Sequence, residues 1–188
     1  MKLKLRDILL MLLRASKNKI SGKTKIQKLC YLLSIKTQKE REFQFQAHYY
    51  GPYSPAVDFS LSELVGIGFV EEKKSLWAID NRGFEVVRYD YELTNDGETI
   101  ADLSKQSDNE TYKKIENLVK SLNELGNPDY MQLSAASKAY FILKKEGKEM
   151  TSDEIKQKAK DFNWDLTTTD INKAVEILVK LKMIKKQS

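Results

Sequence analysis

Basic and polar side chains occur together at two places in the sequence, and both groups have the chemistry of nucleic-acid contact. The first is a lysine run around the start of a predicted second helix. The second opens the last predicted helix with hydroxyl, amide and ammonium groups, which bind base edges and phosphates. With one arginine from a predicted turn, the residues expected to contact double-stranded DNA are Lys23, Lys25, Lys28, Arg82, Thr168, Thr169, Asn172 and Lys173. For the last four, the alternative is a capped and solvated helix surface.

The lysine run has an unusual position relative to its helix. Its members are Lys17, Lys19, Lys23, Lys25 and Lys28. Cations near the N-terminus of a helix oppose the helix dipole. The run is therefore either a solvated surface or a site where an anion such as a phosphate compensates the charge.

An aromatic segment offers a second kind of contact, to a protein partner. Its candidate partner-binding residues are Tyr49, Tyr50 and Tyr53. Tyrosine is a frequent anchor of protein interfaces, although packing beneath a β-hairpin is the alternative for at least two of the three. The helix predicted next contains Asp58 and Glu63 but no Lys or Arg. Phosphate would be repelled by that composition, which favours a protein over DNA at this part of the chain.

The chain lacks the residue groupings that catalysis or metal binding requires. Residues 22–24 resemble the end of a phosphate-binding loop, but that motif needs a glycine where Lys17 stands and a strand where a helix is predicted. The single histidine, His48, has no serine, cysteine or carboxylate partner nearby in sequence, and the single cysteine, Cys30, excludes an internal disulfide. We therefore expect no enzyme activity, no cofactor and no metal.

Charge is distributed unevenly along the 188 residues, whose net charge is +5. Residues 1–42 hold 12 Lys and Arg against 3 Asp and Glu, a net +9; residues 43–128 hold 8 against 15, a net −7; residues 129–188 hold 12 against 9, a net +3. Basic ends favour polyanions, and an acidic middle repels them. The apolar stretch 8–13 is too short for a membrane span or a secretory signal, so we expect a cytoplasmic protein.

Hydrophobic periodicity predicts the elements that position these side chains. Helices are predicted over 4–14, 24–35 and 54–65, with Lys25 and Lys28 turned away from the apolar face of the second. The aromatic segment 43–53 is expected to begin as a short strand. A hairpin follows around the turn Asn81-Arg82-Gly83, with the odd-numbered side chains of 87–93 on one face. Three helices and a two-stranded wing match a winged helix-turn-helix.

The remainder of the chain is predicted to be helical. One helix starts at Asn95, with Glu98 closing a capping box. The next, over 109–125, has regularly spaced apolar residues that fit either the seam of a homodimer or packing against the chain's own modules. These residues are Tyr112, Ile115, Val119 and Leu122.

The C-terminal segment repeats the helical half of the plan. Helices are predicted from 130 to 145, after the cap Thr151, and from 168 to 182, followed by a truncated wing strand at 183–184. The predicted fold is thus α+β, mainly α with a small antiparallel β wing, in tandem winged-helix modules. The predicted domains are an N-terminal module, a helical linker and a compact C-terminal module, over 1–103, 104–128 and 129–188.

Two motifs give the N-terminal module a family resemblance. The run Lys25-Ile26-Gln27-Lys28-Leu29-Cys30-Tyr31 is followed by His48-Tyr49-Tyr50-Gly51-Pro52-Tyr53-Ser54-Pro55 and by the apolar segment 61–69. Over residues 1–100 this pattern resembles the Panacea (SocA-like) antitoxin domain and related uncharacterised prokaryotic winged-helix proteins. The resemblance implies a winged-helix-like fold in a small prokaryotic regulator, some relatives of which neutralise toxins or adapt substrates to proteases by protein contact. It implies no catalytic residue.

Two functions from different classes therefore stand as hypotheses. The first is a DNA-binding transcriptional regulator of winged-helix type, with the last helix as the better groove-contacting element because the third helix is acidic. The alternative is a protein-interaction regulator, antitoxin-like or adaptor-like, that binds its partner through the N-terminal module.

Overall fold

The structure is a computed structural model, and it describes residues 3–79 and 85–185. Within these ranges the chain is mainly helical, with one small antiparallel sheet. The helices are α1 (Leu5–Ala15), α2 (Lys23–Lys36), α3 (Glu40–Phe43), α4 (Pro55–Gly66), α5 (Asn95–Ser107), α6 (Asn109–Glu124), α7 (Tyr130–Glu146), α8 (Ser152–Ala159) and α9 (Thr168–Lys180). The strands are β1 (Lys19–Ser21), β2 (Val70–Ile79) and β3 (Glu85–Leu93), and a short 3-10 helix, Lys160–Phe162, follows α8.

The sheet consists of the predicted hairpin and one strand that was not predicted. Its order is β1-β3-β2, and both pairings are antiparallel. In β1, Ile20 lies opposite Tyr91, and both side chains are buried. Asp90, on the other face of β3, is buried too, and its carboxylate pairs with Arg88 Nε at 3.0 Å and Lys19 Nζ at 3.5 Å.

One continuous hydrophobic core joins the two ends of the chain. Its centre is α1, in which residues 8–13 are all buried, as expected for a helix that is apolar around its whole circumference. α1 packs against α4, α5 and α6, whereas α2 packs on α7, and α7 packs on α9. The predicted segments 1–103, 104–128 and 129–188 therefore contribute to the same core.

Local capping signals at α8 and α7 are confirmed, whereas the one at α5 is not. Thr151 and Glu154 form a capping box at α8, and the left-handed Gly147 ends α7. The predicted box at α5 is wrong. Thr94 caps that helix instead, accepting a hydrogen bond from the Gly97 amide at 3.1 Å. The position three residues after this cap is a glycine, which has no side chain to close a box, and Glu98 pairs with a distant cation.

That cation is Arg14 of α1, which fixes α5 in place. Its Nη1 lies 2.6 Å from Glu98 Oε2, and its Nε and Nη2 bind the two carboxylate oxygens of Asp102 at 3.0 and 2.9 Å. The contacts with Asp102 and Glu98 raise the pKa of Arg14. On its other side, α5 approaches the backbone closely: a Cβ at Gly97 would lie 1.9 Å from the Phe69 carbonyl oxygen.

Of the two alternatives for α6, packing within the chain is the one that the structure shows: α6 packs against α1, α2 and α9, which buries Tyr112, Ile115, Val119 and Leu122. Two further predictions differ from the structure. The segment 43–53 ends α3 and continues as a loop, with one isolated bridge between Gln46 and Tyr53. In the described C-terminal part, residues 183–185 form no strand, so the truncated wing is wrong. None of the described helices combines the length and apolar character needed to cross a membrane.

Candidate protein-interaction surface

The two sequence motifs of the N-terminal module contact each other in the fold. Gln27 of α2 donates from Nε2 to the Ser54 carbonyl at 3.0 Å and accepts from the Ser54 amide at 3.0 Å. Lys28 donates from Nζ to the Pro52 carbonyl at 2.7 Å. Neighbouring side chains of α2 therefore hold the backbone of residues 44–54, which we call the tyrosine loop.

Ser54 joins the tyrosine loop to α4. Its buried hydroxyl accepts a hydrogen bond from the Val57 amide at 3.0 Å, which caps α4, and donates one to the Phe43 carbonyl. Pro55 occupies the first helical turn, where a missing amide hydrogen costs nothing. One serine thus ends the loop, caps the helix and connects to the end of α3.

Lys28 departs most from the sequence prediction. Its side chain is only 2% exposed, and it has no ion-pair partner among the described residues. Burial, together with the nearby ammonium of Lys138, lowers the pKa of Lys28 to about 8. The predicted outward orientation is wrong, because the Pro52 carbonyl draws the ammonium inward, and a buried ammonium is not open to a DNA phosphate.

The outer face of the tyrosine loop is aromatic and open to solvent. Tyr49 is 67% exposed and Tyr50 is 64% exposed, with their rings edge to face at a centroid distance of 4.9 Å. Tyr53 is half-buried and packs against His48 at 5.1 Å. Burial and the nearby carboxylate of Asp58 raise the pKa of Tyr53. Two of the three predicted partner-binding tyrosines are thus accessible, and the third packs inside the loop.

The C-terminal segment forms hydrogen bonds with the backbone of the tyrosine loop. Trp164 donates from Nε1 to the His48 carbonyl at 2.7 Å, and Ser134 of α7 donates from Oγ to the Tyr50 carbonyl at 3.2 Å. Gly51, with φ +95°, lies directly over α7, since a Cβ there would come within 3.1 Å of Lys138 Cγ. The loop is therefore held from both α2 and α7.

Two residues of α7 extend the exposed surface of the loop. Tyr130 and Met131 are 50% and 64% exposed, and they precede Ser134 by one helical turn. Residues three or four apart share a helix face, so these side chains lie on the same face of α7 as Ser134, whose hydroxyl binds the Tyr50 carbonyl. Sequence reasoning missed both, because a helix start carries no signal of which loop packs beside it. We call Tyr49, Tyr50, Tyr130 and Met131 together the aromatic patch.

The lysines predicted to contact DNA are largely engaged within the chain. Lys23 Nζ pairs with Asp58 Oδ1 of α4 at 2.8 Å, and this contact raises the pKa of Lys23. Lys25 Nζ donates to Asn127 Oδ1 at 2.9 Å. Arg82, the predicted contact in the hairpin turn, lies outside the described residues.

The polar residues of α9 are exposed, as their pattern indicated. They are Thr168, Thr169, Asn172 and Lys173. The helix itself is capped by Thr167, whose hydroxyl forms a capping box with Asp170. Hydrogen bonds with Thr167 lower the pKa of Asp170, and the ammonium groups of Lys173 and Lys138 lower it further.

Fold and surface together define a mainly helical α+β protein with an exposed aromatic patch. In the described part of the chain, no group of His, Cys, Asp and Glu side chains could hold a metal ion. The chain is similar to the uncharacterised protein YwgA of Bacillus subtilis, with 31% identity over 93 residues. That match covers 50% of this chain and 52% of YwgA, so it spans about half the length of the relative. No family model matches the chain.

Proposed function

We propose that this chain is a protein-interaction regulator that binds a protein partner through the aromatic patch. The observation that carries the proposal is the exposure of Tyr49 and Tyr50, 67% and 64%, on a backbone held by hydrogen bonds from α2 and α7. Aromatic side chains on a fixed backbone lose little conformational entropy when a partner covers them. Tyrosines of this kind are frequent centres of binding energy.

The surroundings of the patch support a protein partner over DNA. The α4 helix holds Asp58 and Glu63 without a Lys or Arg of its own, and it exposes the ring of Phe59. An acidic helix with an open aromatic ring is repelled by phosphate and suits a protein surface. The ion pair of Lys23 with Asp58 further reduces the free positive charge beside it.

The class of regulator follows from the order of elements and the sequence motifs. The succession α1, β1, α2, α4 and the β2–β3 hairpin supports a winged-helix interpretation of the N-terminal module. The resemblance to the Panacea (SocA-like) domain adds an antitoxin-like or adaptor-like role, performed by contact and without catalysis. We place this role in the cytoplasm of a prokaryote.

DNA binding through α9 is the second candidate function. It is favoured by the exposed hydroxyl, amide and ammonium groups of Thr169, Asn172 and Lys173. It ranks below protein binding because Asp170 lies in the same turn, and because the described residues after α9 supply no wing strand to contact the adjacent phosphates.

Site-specific photo-crosslinking tests the proposal in the cells that naturally make the chain. A photoreactive phenylalanine analogue replaces Tyr49 or Met131, and a matched control carries it at Lys113, an exposed position on α6. We expect protein crosslinks from positions 49 and 131 that are absent from position 113, and that disappear when Tyr50→Ala is added.

Two other results would contradict the proposal. Equal crosslinking from all three positions would show that the patch is not selective. Recovery of DNA in place of protein, together with duplex binding that weakens steeply with salt and is reduced by Lys173→Ala, would establish the second candidate instead. Crosslinks between two copies of the chain would identify it as its own partner, a homodimer through the patch.

A further inference from the structure

A cleft with an apolar floor and a basic rim lies away from the aromatic patch. It has a volume of about 540 Å³ and is formed by the α1–β1 turn, α2 and α6. Leu29, Val119 and Leu122 line its floor, and Lys17, Lys19 and Lys25 stand at its rim. This volume is within the range of sites that bind small molecules.

The charged residues that line the cleft are all lysines. No Asp or Glu contributes to its lining. Lys17 has no ion pair or side-chain hydrogen bond with a described residue, and Lys25 has only the neutral amide oxygen of Asn127, at 2.9 Å. Lys19 alone faces a carboxylate, that of Asp90, at 3.5 Å. The ammonium groups of Lys17 and Lys25 therefore form no ion pair with a described residue.

Burial destabilises the charged form of Lys25, as expected for a lysine whose ammonium binds an anion when a ligand is present. Burial in the cleft lowers the pKa of Lys25, and the carboxylate of Asp129 opposes that change without forming an ion pair. A ligand anion beside Lys25 would restore the stability of its charged form, since an opposite charge within a few ångströms favours ionisation.

The position of Lys17 is imposed by the fold. Lys17 and Asn18 both have left-handed backbones, with φ +59° and +66°, a conformation that asparagine tolerates but lysine seldom adopts. The turn is held by Asn18, whose amide donates to the Leu13 carbonyl at 2.9 Å and whose carbonyl accepts from the Leu93 amide at 2.9 Å. The backbone of Lys17 is thus fixed at the rim, so no flexible loop has to become ordered when a ligand binds.

We propose that this cleft binds a small organic anion, with its acidic group between Lys17 and Lys25 and its apolar part on Leu29, Val119 and Leu122. Carboxylates and phosphate esters share the chemistry that the two ammonium groups recognise. The concave apolar floor selects a small amphipathic molecule, because the backbone of a nucleic-acid duplex has no apolar group to place there. This site does not depend on the proposed protein interaction.

Amide NMR titration of the full chain tests the site with three probes of equal chain length: octanoate, octyl phosphate and octylammonium. We expect both anions to shift the amide signals of residues 16–21, 25 and 119–127 with a single saturation curve, and octylammonium to leave them in place. The tighter of the two anions identifies the acidic group. Equal binding of octylammonium at this site, or no binding of either anion at about 10 mM, would overturn the proposal.

Two sets of variants separate a binding role from a folding role. The double variant Lys17→Gln with Lys25→Gln should weaken anion binding at least about tenfold, whereas Lys113→Gln with Lys120→Gln, on an exposed face of α6, should not. The isosteric change Asn123→Asp places a negative charge at the rim and should weaken binding similarly, in contrast to Asn117→Asp elsewhere on α6. Unchanged affinity in the double lysine variant and in Asn123→Asp would refute the site.

Discussion

Two helices of this protein carry the same kind of polar pair, an amide followed by a lysine, in opposite environments. In α2 the pair Gln27 and Lys28 is buried, and both side chains bind the backbone of the tyrosine loop. In α9 the pair Asn172 and Lys173 is exposed to solvent. The composition of the two pairs is nearly identical, so composition does not decide their roles.

The difference lies in what covers each helix. The tyrosine loop has almost no secondary structure, with a single bridge between Gln46 and Tyr53, so most of its amides and carbonyls need partners from outside the loop. The elements packed on α9 are helices, α6, α7 and α8, whose backbone groups already bond to one another. Gln27 and Lys28 of α2 are therefore structural, whereas Asn172 and Lys173 of α9 stay exposed.

The largest expected effect follows from removing the amide of the buried pair. Gln27→Ala leaves the buried amide and carbonyl of Ser54 without partners, and each unsatisfied group costs about 2 kcal/mol, so we expect the free energy of unfolding to fall by about 4 kcal/mol. The matched change Asn172→Ala should alter it by less than about 0.5 kcal/mol. Urea denaturation measures both. Similar values for the two variants would remove the distinction between the helices.

A pH dependence should separate the two lysines. The pKa of Lys28 is about 8 in the folded chain, below its ordinary value of 10.5, so between these pH values the unfolded chain binds more protons than the folded chain. The free energy of unfolding should therefore rise with pH across this window, by about 3 kcal/mol from Lys28 alone.

The variant Lys28→Met isolates this effect from tyrosine and cysteine titration. The free energy of unfolding is measured from pH 7 to 10.5 for the unmodified chain and for each variant. We expect the difference between the unmodified chain and Lys28→Met to increase with pH, and the difference between the unmodified chain and Lys173→Met to stay constant. A constant difference between the unmodified chain and Lys28→Met would contradict the burial of a charged lysine.

The smallest expected effect concerns α9, where only the cap should matter for folding. Thr167→Ala removes the hydroxyl that accepts from the Asp170 amide at 3.1 Å and should lower the free energy of unfolding by about 1 kcal/mol. The adjacent change Thr168→Ala should lie within about 0.5 kcal/mol of the unmodified chain. If Thr168→Ala proves the more destabilising of the two, the exposed residues of α9 contribute to folding, and the contrast with the buried residues of α2 is wrong.

The sequence alone sufficed wherever a few neighbouring residues decide the outcome. Ser54-Pro55 indicated the start of α4, Thr151 and Glu154 that of α8, and Gly147 the end of α7, because a cap is satisfied within one turn of its own helix. The β2–β3 hairpin was predicted because its two strands are close in sequence, so that neighbouring residues again decide the outcome.

The candidate surface was predicted only in part. Tyr49 and Tyr50 were singled out from the sequence, but their exposure depends on Trp164 and Ser134, more than 80 residues further along the chain. Tyr130 and Met131 could not be found at all, since the face of α7 that they share with Ser134 meets the tyrosine loop only when α7 packs against α2.

Sequence by itself determined the longer helices, the hairpin and the residues able to make polar contacts, but not the short helix α3. Tertiary structure decided which of those contacts are made inside the molecule: β1 exists because β3 lies beside it, Glu98 turns to Arg14, and Gln27 and Lys28 turn inward. The physical reason is that a polar side chain is stable both in water and against a backbone group lacking a partner. Only the packing of distant segments brings such a group within reach.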